Sequence, residues 1–564
     1  MKMNKKRIFL AALFLATVLS AALYLGNAAL HVGHLGFPLD DAWIFQTYAR
    51  NLARYGELSY YPGHPSSGST GPLWTIMVSA GYFLGLDFRL WTYILGGCSL
   101  FLTGIMACLL SLRLFPEERW ASMGSGLFCA LEWHLVWAAF SGMETALFTA
   151  LSLALLERYL AVAEENEPVR SFWPFLGLGL LGGLLTLTRP EGAVLFGLIG
   201  LGLLGRWLSF PARRLLPALL ICLGFALLIA PYLAYNLRAS GLLFPNTFYA
   251  KQREYAVLLE MPFPARLWRV FWPTVIGGQV LLLPGFVLAG YKTLRGNKPQ
   301  RFTIARWPAN RNSQAESSSA LKLTFKHALA CLSFEPEDFI FRLRGAHKLL
   351  AKFSHKRVHY PIIPLIWWAA FFIIYAVRLP VNYQHGRYLI PTIPVLIIYG
   401  IAGTSALVRP SRLARLFSQA GLGAIGATLL LFWAFLGPRA YAADMGFIEG
   451  EMVNVARWLN ENTPEDALVA VHDIGAIGYY TERPLLDLAG LITPEVIPFI
   501  RDEERLLSFI AEKGADYLVT FPSWYLRLVQ DPRLRPVYCT NYAWSVQAGA
   551  DNMFVYKARW EDGE

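Results

Sequence analysis

Two adjacent carboxylates, Asp40 and Asp41, open the segment DDAWIFQTYARNLARY. One of them could cap a helix that begins at Ala42, a contribution of about 1 kcal/mol. Capping calls for only one acid. Repulsion between two neighbouring acids raises one pKa towards the range in which a carboxylate works as a general base. Such a base suits an acceptor hydroxyl that must lose its proton in order to attack. On sequence grounds either aspartate fits the role.

Cations that could accompany this base lie far along the chain. Lys251 in FPNTFYAK, Arg238 upstream of it, and His385 and Arg387 in VNYQHGRY could hold a phosphodiester whose leaving group is a lipid phosphate. That leaving group needs its negative charge stabilised more than it needs a proton. Arg387, beside the aromatic Tyr388 and close to His385, is the preferred phosphate ligand, and Lys251 is second. The competing role for each is snorkelling to lipid headgroups. Arg189 and Glu191 in TRPEG and Glu144 in SGMET sit at expected ends of spans. They read either as interfacial charge fixing a turn or as further contacts, Arg189 to the donor phosphate and the two glutamates to substrate.

Tyr60, Tyr61 and the SSGSTG run after them read as a shaped loop that touches a ligand or the C-terminal part of the chain, and Asn246 is a further expected substrate contact. One base with a self-sufficient leaving group suggests direct displacement with inversion. A retaining route would need a second carboxylate as nucleophile. His31, His34 and His64 lie in the same early loop, but no compact ligand spacing joins them to the aspartates, so no metal or other cofactor is expected.

These residues need a scaffold, and its solvent is largely lipid. The chain is 55% hydrophobic and only 16% charged, and its apolar residues fall in blocks of the length that crosses a bilayer. The formal charge of +11 sits mostly in Lys and Arg between those blocks, where cytoplasmic loops place them, and no nucleic-acid-binding signature accompanies it. The six cysteines form no CxxC pair and look like small core residues. Residues 8–30 behind MKMNKKR are too long an apolar run for a signal peptide, so a retained anchor with a cytoplasmic N-terminus is expected.

Threading from that anchor gives a polytopic α-helical membrane domain, residues 1–436, with about eleven spans: 8–30, 91–113, 119–139, 144–162, 172–188, 191–209, 215–236, 271–291, 361–379, 388–408 and 415–436. An outer loop, 31–90, holds the acidic pair and two interfacial helices, the first with Ile44, Tyr48, Leu52 and Tyr55 on its apolar face. A basic loop, 292–357, faces the cytoplasm with Arg113, Arg119, Arg158, Arg170, Arg206, Arg213, Arg214, Arg409, Arg412 and Arg415. Residues 437–564 form a small extracytoplasmic α/β domain, with strands in ALVAVHD, RPLLDL and ADYLVTF and helices in MVNVARWLNEN and RLLSFIAEKG.

The stretch FPLDDAWIFQTYARNLARYGELSYYPG followed by GSTGPLW resembles the first outer loop of the GT-C membrane glycosyltransferases, and in particular that of mycobacterial-type terminal arabinofuranosyltransferases and their uncharacterised bacterial relatives. SGMETALF, TRPEG, FPNTFYAK, HGRYLIP and VHDIGAIGYY followed by LLDLAGLI carry the same likeness over most of the chain, leaving out 292–357. The resemblance implies a GT-C fold, a polyprenyl-phosphate sugar donor, a cell-envelope glycan or lipid acceptor, and a C-terminal periplasmic domain that helps bind glycan. It also implies a catalytic aspartate in the first outer loop, which Asp40 and Asp41 match. The sugar stays open, as arabinofuranose or another pentose or hexose.

Three other readings compete. A protein O-mannosyltransferase-like enzyme shares the acidic first loop but uses Ser or Thr as acceptor. A lipid-linked glycan transporter would line a route at membrane depth with polar groups, whereas the candidates here gather at one face. A receptor would bind glycan through its tail without turnover.

Overall fold

The computed structural model describes residues 2–164, 172–207, 215–295, 360–407, 412–481 and 483–560. Nearly all of the expected basic loop 292–357, together with Arg170, Arg213, Arg214 and Arg409, lies outside the described residues. Among them, six helices are long and apolar enough to cross a membrane: Lys5–Val32, Phe88–Leu114, Thr145–Glu164, Leu215–Ser240, Tyr383–Ser405 and Gln419–Asn462. A bent pair, Phe263–Val275 with Gly278–Leu294, brings the number to seven if it counts as one span. Trp173–Thr188, Gly192–Leu204 and Ile363–Arg378 are shorter apolar helices.

Two expected spans are not straight rods. The segment 119–139 breaks at Glu132, whose extended backbone ends Arg119–Leu131 and whose side chain caps Trp133–Phe140 by accepting from the Leu135 N–H at 3.0 Å. Glu132 and His134 are both fully buried and pair at 2.7 Å, so a polar contact fills the break. The segment 271–291 turns through 105° between Val275 and Gly278. Pro273 and Gly277, the latter at φ 137°, permit that turn where an unbroken helix would not.

The helix Asp40–Tyr55 forms where one was expected but does not lie on a surface. Trp43, Gln46 and Tyr48 are each 0% exposed, and Gln46 donates to Thr92 at 3.0 Å. Tyr55, expected on the apolar face, is half exposed. Packing against the helices Pro72–Phe83 and Ile474–Thr481 buries a wider arc than an apolar stripe alone would.

The last long helix runs from Gln419 to Asn462, through the expected boundary after residue 436 and on into the C-terminal part. There a five-stranded sheet has the order Leu485–Asp487, Val469–Val471, Tyr517–Thr520, Phe554–Ala558, Leu534–Cys539. The first three strands pair in parallel and the last two join antiparallel. The parallel strands are buried along their length, as sheets covered on both faces are. The helix Ile474–Thr481 follows the strand Val469–Val471 and lies against Asp40–Tyr55, which joins the two halves of the protein.

Candidate active site

A cavity of about 690 Å³ lies where the two halves meet. The membrane half contributes Asp40, Asp41, Lys251, Glu254, Tyr383 and Arg387, and the tail contributes Asp444, His472, Asp473, Trp524 and Tyr525. The early carboxylate pair and the cations near residues 251 and 387 are thus brought together from points more than 200 residues apart in sequence.

The two aspartates are not equivalent. Asp41 Oδ2 accepts from Lys251 Nζ at 2.9 Å and from Arg387 Nη2, and both cations reach the Tyr388 hydroxyl at 3.2 Å. Burial works to raise the Asp41 pKa, but the charges of Lys251 and Arg387 outweigh it and hold the carboxyl well below the usual carboxylate range. Lys251 is pushed up in return: burial lowers its pKa, and the Asp41 charge more than restores it. Asp40 turns the other way, accepting from the backbone N–H of Gly475 and of Ala476 at 2.7 Å each. It therefore caps the N-terminus of the tail helix Ile474–Thr481. The expected cap exists, but on a helix more than 400 positions away, and Asp40 does not cap its own helix.

The segment before Arg387 holds an unusual backbone. Gln384, His385 and Gly386 lie consecutively at φ 53°, 57° and 67°, and the left-handed conformation costs the two non-glycine residues on the order of 1–3 kcal/mol each. The turn puts Gln384 and Arg387 into the cavity and directs His385 Nε2 to Asp444 Oδ2 at 2.7 Å. Trp137 Nε1 donates to the same carboxylate oxygen at 2.9 Å. His385 is thereby occupied by a carboxylate and packed edge-on against Trp133 and Trp137, and it does not line the cavity.

The remaining expected residues take other places. Arg189 is buried behind Tyr388, with Glu144 Oε1 at 3.7 Å, Glu191 Oε1 at 3.5 Å and the Tyr375 hydroxyl at 2.9 Å. Its guanidinium stands 5.2 Å from the Tyr388 ring centre, so this cluster supports the cavity wall without lining it. Arg238 is exposed at the end of Leu215–Ser240 and does not line the cavity. Tyr60 donates to the Ile474 carbonyl at 2.5 Å and Tyr61 accepts from the Leu485 N–H at 2.7 Å, so both brace the tail. Asn246 does the same, its Nδ2 donating to the Leu491 carbonyl at 3.4 Å. His34 pairs with Glu449 at 2.7 Å, His31 packs on Trp544, and His64 is exposed on a hairpin. The three histidines therefore have separate surroundings.

Sequence reasoning did not find the tail's share of the wall. His472 sits between Asp473 at 2.9 Å and Glu254 at 3.3 Å, which connects the tail to the helix that carries Lys251. Burial lowers the His472 pKa, but Tyr525 and then Asp473 and Glu254 prevail and hold it well above the ordinary histidine value. Trp524 stacks edge-on over His472 at 5.0 Å and, with Tyr525, adds aromatic surface of the kind that packs against sugar faces. The adjacent His and Asp of VHD were the one visible hint.

Comparison with known proteins bears on the architecture. Residues 443–560 match a family described as a domain of unknown function, DUF8728. No curated protein is significantly similar in sequence. Among solved structures, ArnT from Cupriavidus metallidurans bound to undecaprenyl phosphate superposes with a TM-score of 0.51 at 14% identity, over 96% of this chain and 97% of that one. The Archaeoglobus fulgidus oligosaccharyltransferase in complex with Zn and sulfate gives 0.55 at 13% identity, over 97% and 73%. The arabinofuranosyltransferase AftD from Mycobacteria aligns at 15% identity over 99% of this chain and 42% of its own, with a TM-score of only 0.47. The fold is that of the GT-C glycosyltransferases.

Proposed function

We propose that this chain transfers a sugar from a polyprenyl-phosphate donor to a cell-envelope glycan or lipid acceptor on the outer membrane face, with inversion at the anomeric carbon. The observation that carries the reading is the meeting of Asp41, Lys251 and Arg387 in one cavity between the membrane half and the tail. The GT-C fold and the undecaprenyl phosphate bound by ArnT support it. The sugar is arabinofuranose or another pentose or hexose.

With Lys251 and Arg387 both on Asp41, the carboxylate is too stabilised to be an effective base. A donor phosphate competes for the same two cations. As it takes them, Asp41 loses the charges that hold its pKa down and gains affinity for a proton. Donor binding and base activation are then one event. The acceptor hydroxyl gives its proton to Asp41 as its oxygen bonds to the anomeric carbon, and the bond from that carbon to the phosphate oxygen breaks with its electron pair. The departing polyprenyl phosphate is stabilised by Lys251 and Arg387. Asp40 fixes the tail over the site and stays out of the chemistry.

The test offers purified protein a panel of polyprenyl-phosphate sugars with envelope glycans and measures released polyprenyl phosphate. Release with one or more donors, lost in Asp41→Asn, supports the reading. Undiminished release from Asp41→Asn removes it.

A further inference from the structure

A second cavity, of about 350 Å³, lies beside the first and is lined by Arg253, Arg501, Arg505, Asp502, Pro498 and Phe499 among others. Arg501 lines both cavities, so the two are neighbours across that side chain. The three arginines come from both halves of the protein, Arg253 from the helix Asn246–Glu254 and Arg501 and Arg505 from the tail. Their gathering runs against the tail's overall charge. Residues 437–564 carry 20 Asp and Glu against 11 Lys and Arg, a net of −9, so most of that domain repels an approaching anion.

Of the nearby acids, Asp502 lines the recess and offsets Arg505, whereas Glu503 is engaged by backbone. Asp502 caps Glu503–Glu512 by accepting from the Arg505 N–H at 3.2 Å, and its other oxygen is 3.7 Å from Arg505 Nε. Glu503 accepts from the backbone N–H of Arg527 at 2.7 Å and of Leu528 at 2.8 Å. Among the described residues no ion pair engages Arg253 or Arg501, and Arg253 makes only a long contact of 3.5 Å to the Pro498 carbonyl. With Arg505 offset by Asp502, Arg253 and Arg501 leave the recess with an excess of positive charge. An anion placed between them offsets that charge and accepts their hydrogen bonds.

We infer that this basic recess seats an anionic group, a phosphate or a carboxylate, carried by the acceptor while the acceptor's reacting hydroxyl lies in the larger cavity. The inference rests on the reading of the Asp41 cavity as the transfer site, and it narrows the acceptor to anionic glycans or glycolipids.

The full-length protein, reconstituted in phosphatidylcholine vesicles with an accepted donor, is given glycoside acceptors in matched pairs, neutral and phosphorylated. The readout is the ratio of kcat/KM for the two members, which a general loss of activity does not move. About a tenfold preference for the phosphorylated member is expected, equivalent to about 1.4 kcal/mol. It should shrink as salt is raised and vanish in an Arg253→Gln/Arg501→Gln double variant. Equilibrium dialysis of radiolabelled inorganic phosphate, which needs no turnover, should show one site fewer in that variant. Equal use of the pair by the wild type, an undiminished preference in the variant, or unchanged phosphate binding overturns the inference. A second arm adds phosphatidylglycerol to the vesicles. If the variant loses only a stimulation by that lipid and keeps the phosphoglycoside preference, the recess reads membrane headgroups and the acceptor assignment falls. Failure of the underlying reading shows itself separately, as turnover of the neutral acceptor by Asp41→Asn.

Discussion

Asp40 and Asp41 are neighbours in sequence, and substituting them should produce two different defects. Asp40→Ala leaves the N–H groups of Gly475 and Ala476 without their acceptor at a buried contact. Each orphaned donor costs about 1–3 kcal/mol, so the docked tail loses about 2–6 kcal/mol. Burial, then the charge of Asp473, push the Asp40 carboxyl up to about 8, with Asp41 adding to the rise and the two N–H donors opposing it. In an unfolded chain the group titrates near pH 3.9, so between about pH 4 and pH 8 the folded protein holds a proton that the unfolded chain has released. Its contribution to stability is complete below about pH 4 and falls by about 1.4 kcal/mol per pH unit until about pH 8. Asp40→Asn mimics the protonated carboxyl and cannot titrate. The assay is Tm of the detergent-solubilised protein across that range, for the wild type and both variants. Asp40→Ala should be destabilised throughout, and Asp40→Asn should lose the part of the pH slope that Asp40 supplies. A Tm profile for Asp40→Asn parallel to the wild type would refute the assignment.

Asp41→Asn should reduce release of polyprenyl phosphate by about 100-fold or more, as loss of a general base does; a drop of less than about tenfold counts against the mechanism. Lys251→Met removes one of the two charges that hold the Asp41 pKa down, so the acidic limb of kcat/KM should move to higher pH as kcat falls. An acidic limb that stays in place would show that Asp41 is not the titrating base. Gly475→Ala should lower Tm and activity together, because its Cβ would lie 2.0 Å from the Asp40 carbonyl oxygen and 2.6 Å from its carboxylate, whereas Gly200→Ala, with nothing within 4 Å, should leave Tm unchanged or raise it slightly.

Apolar block length was legible because it depends only on local composition, and most of the expected spans coincide with helices as far as those residues are described. What block length misses is a break. Glu132 and His134 interrupt an apolar run that reads as one span, and their mutual contact, with Gln279 donating to Glu132 at 3.1 Å from another element, makes the interruption stable. Pro273 and Gly277 were visible signals of the bend near residue 276, which an average over apolar character smooths away. Buried Gln46 shows a third limit: amphipathic spacing finds the face that would meet lipid, not a second face covered by a distant domain.

By itself the sequence determined a lipid-embedded helical chain, an early acidic pair, and a short set of cations able to serve it, because residue type, block length and nearest-neighbour spacing settle those features. The tertiary structure alone decided that Asp41 meets Lys251 and Arg387 while Asp40 meets a helix of the tail, and that Arg189 and His385 are occupied by carboxylates. The physical reason is that neighbouring residues at the first turn of a helix point about 100° apart, so each carboxylate reaches different elements. Which elements stand there depends on packing between segments hundreds of residues apart.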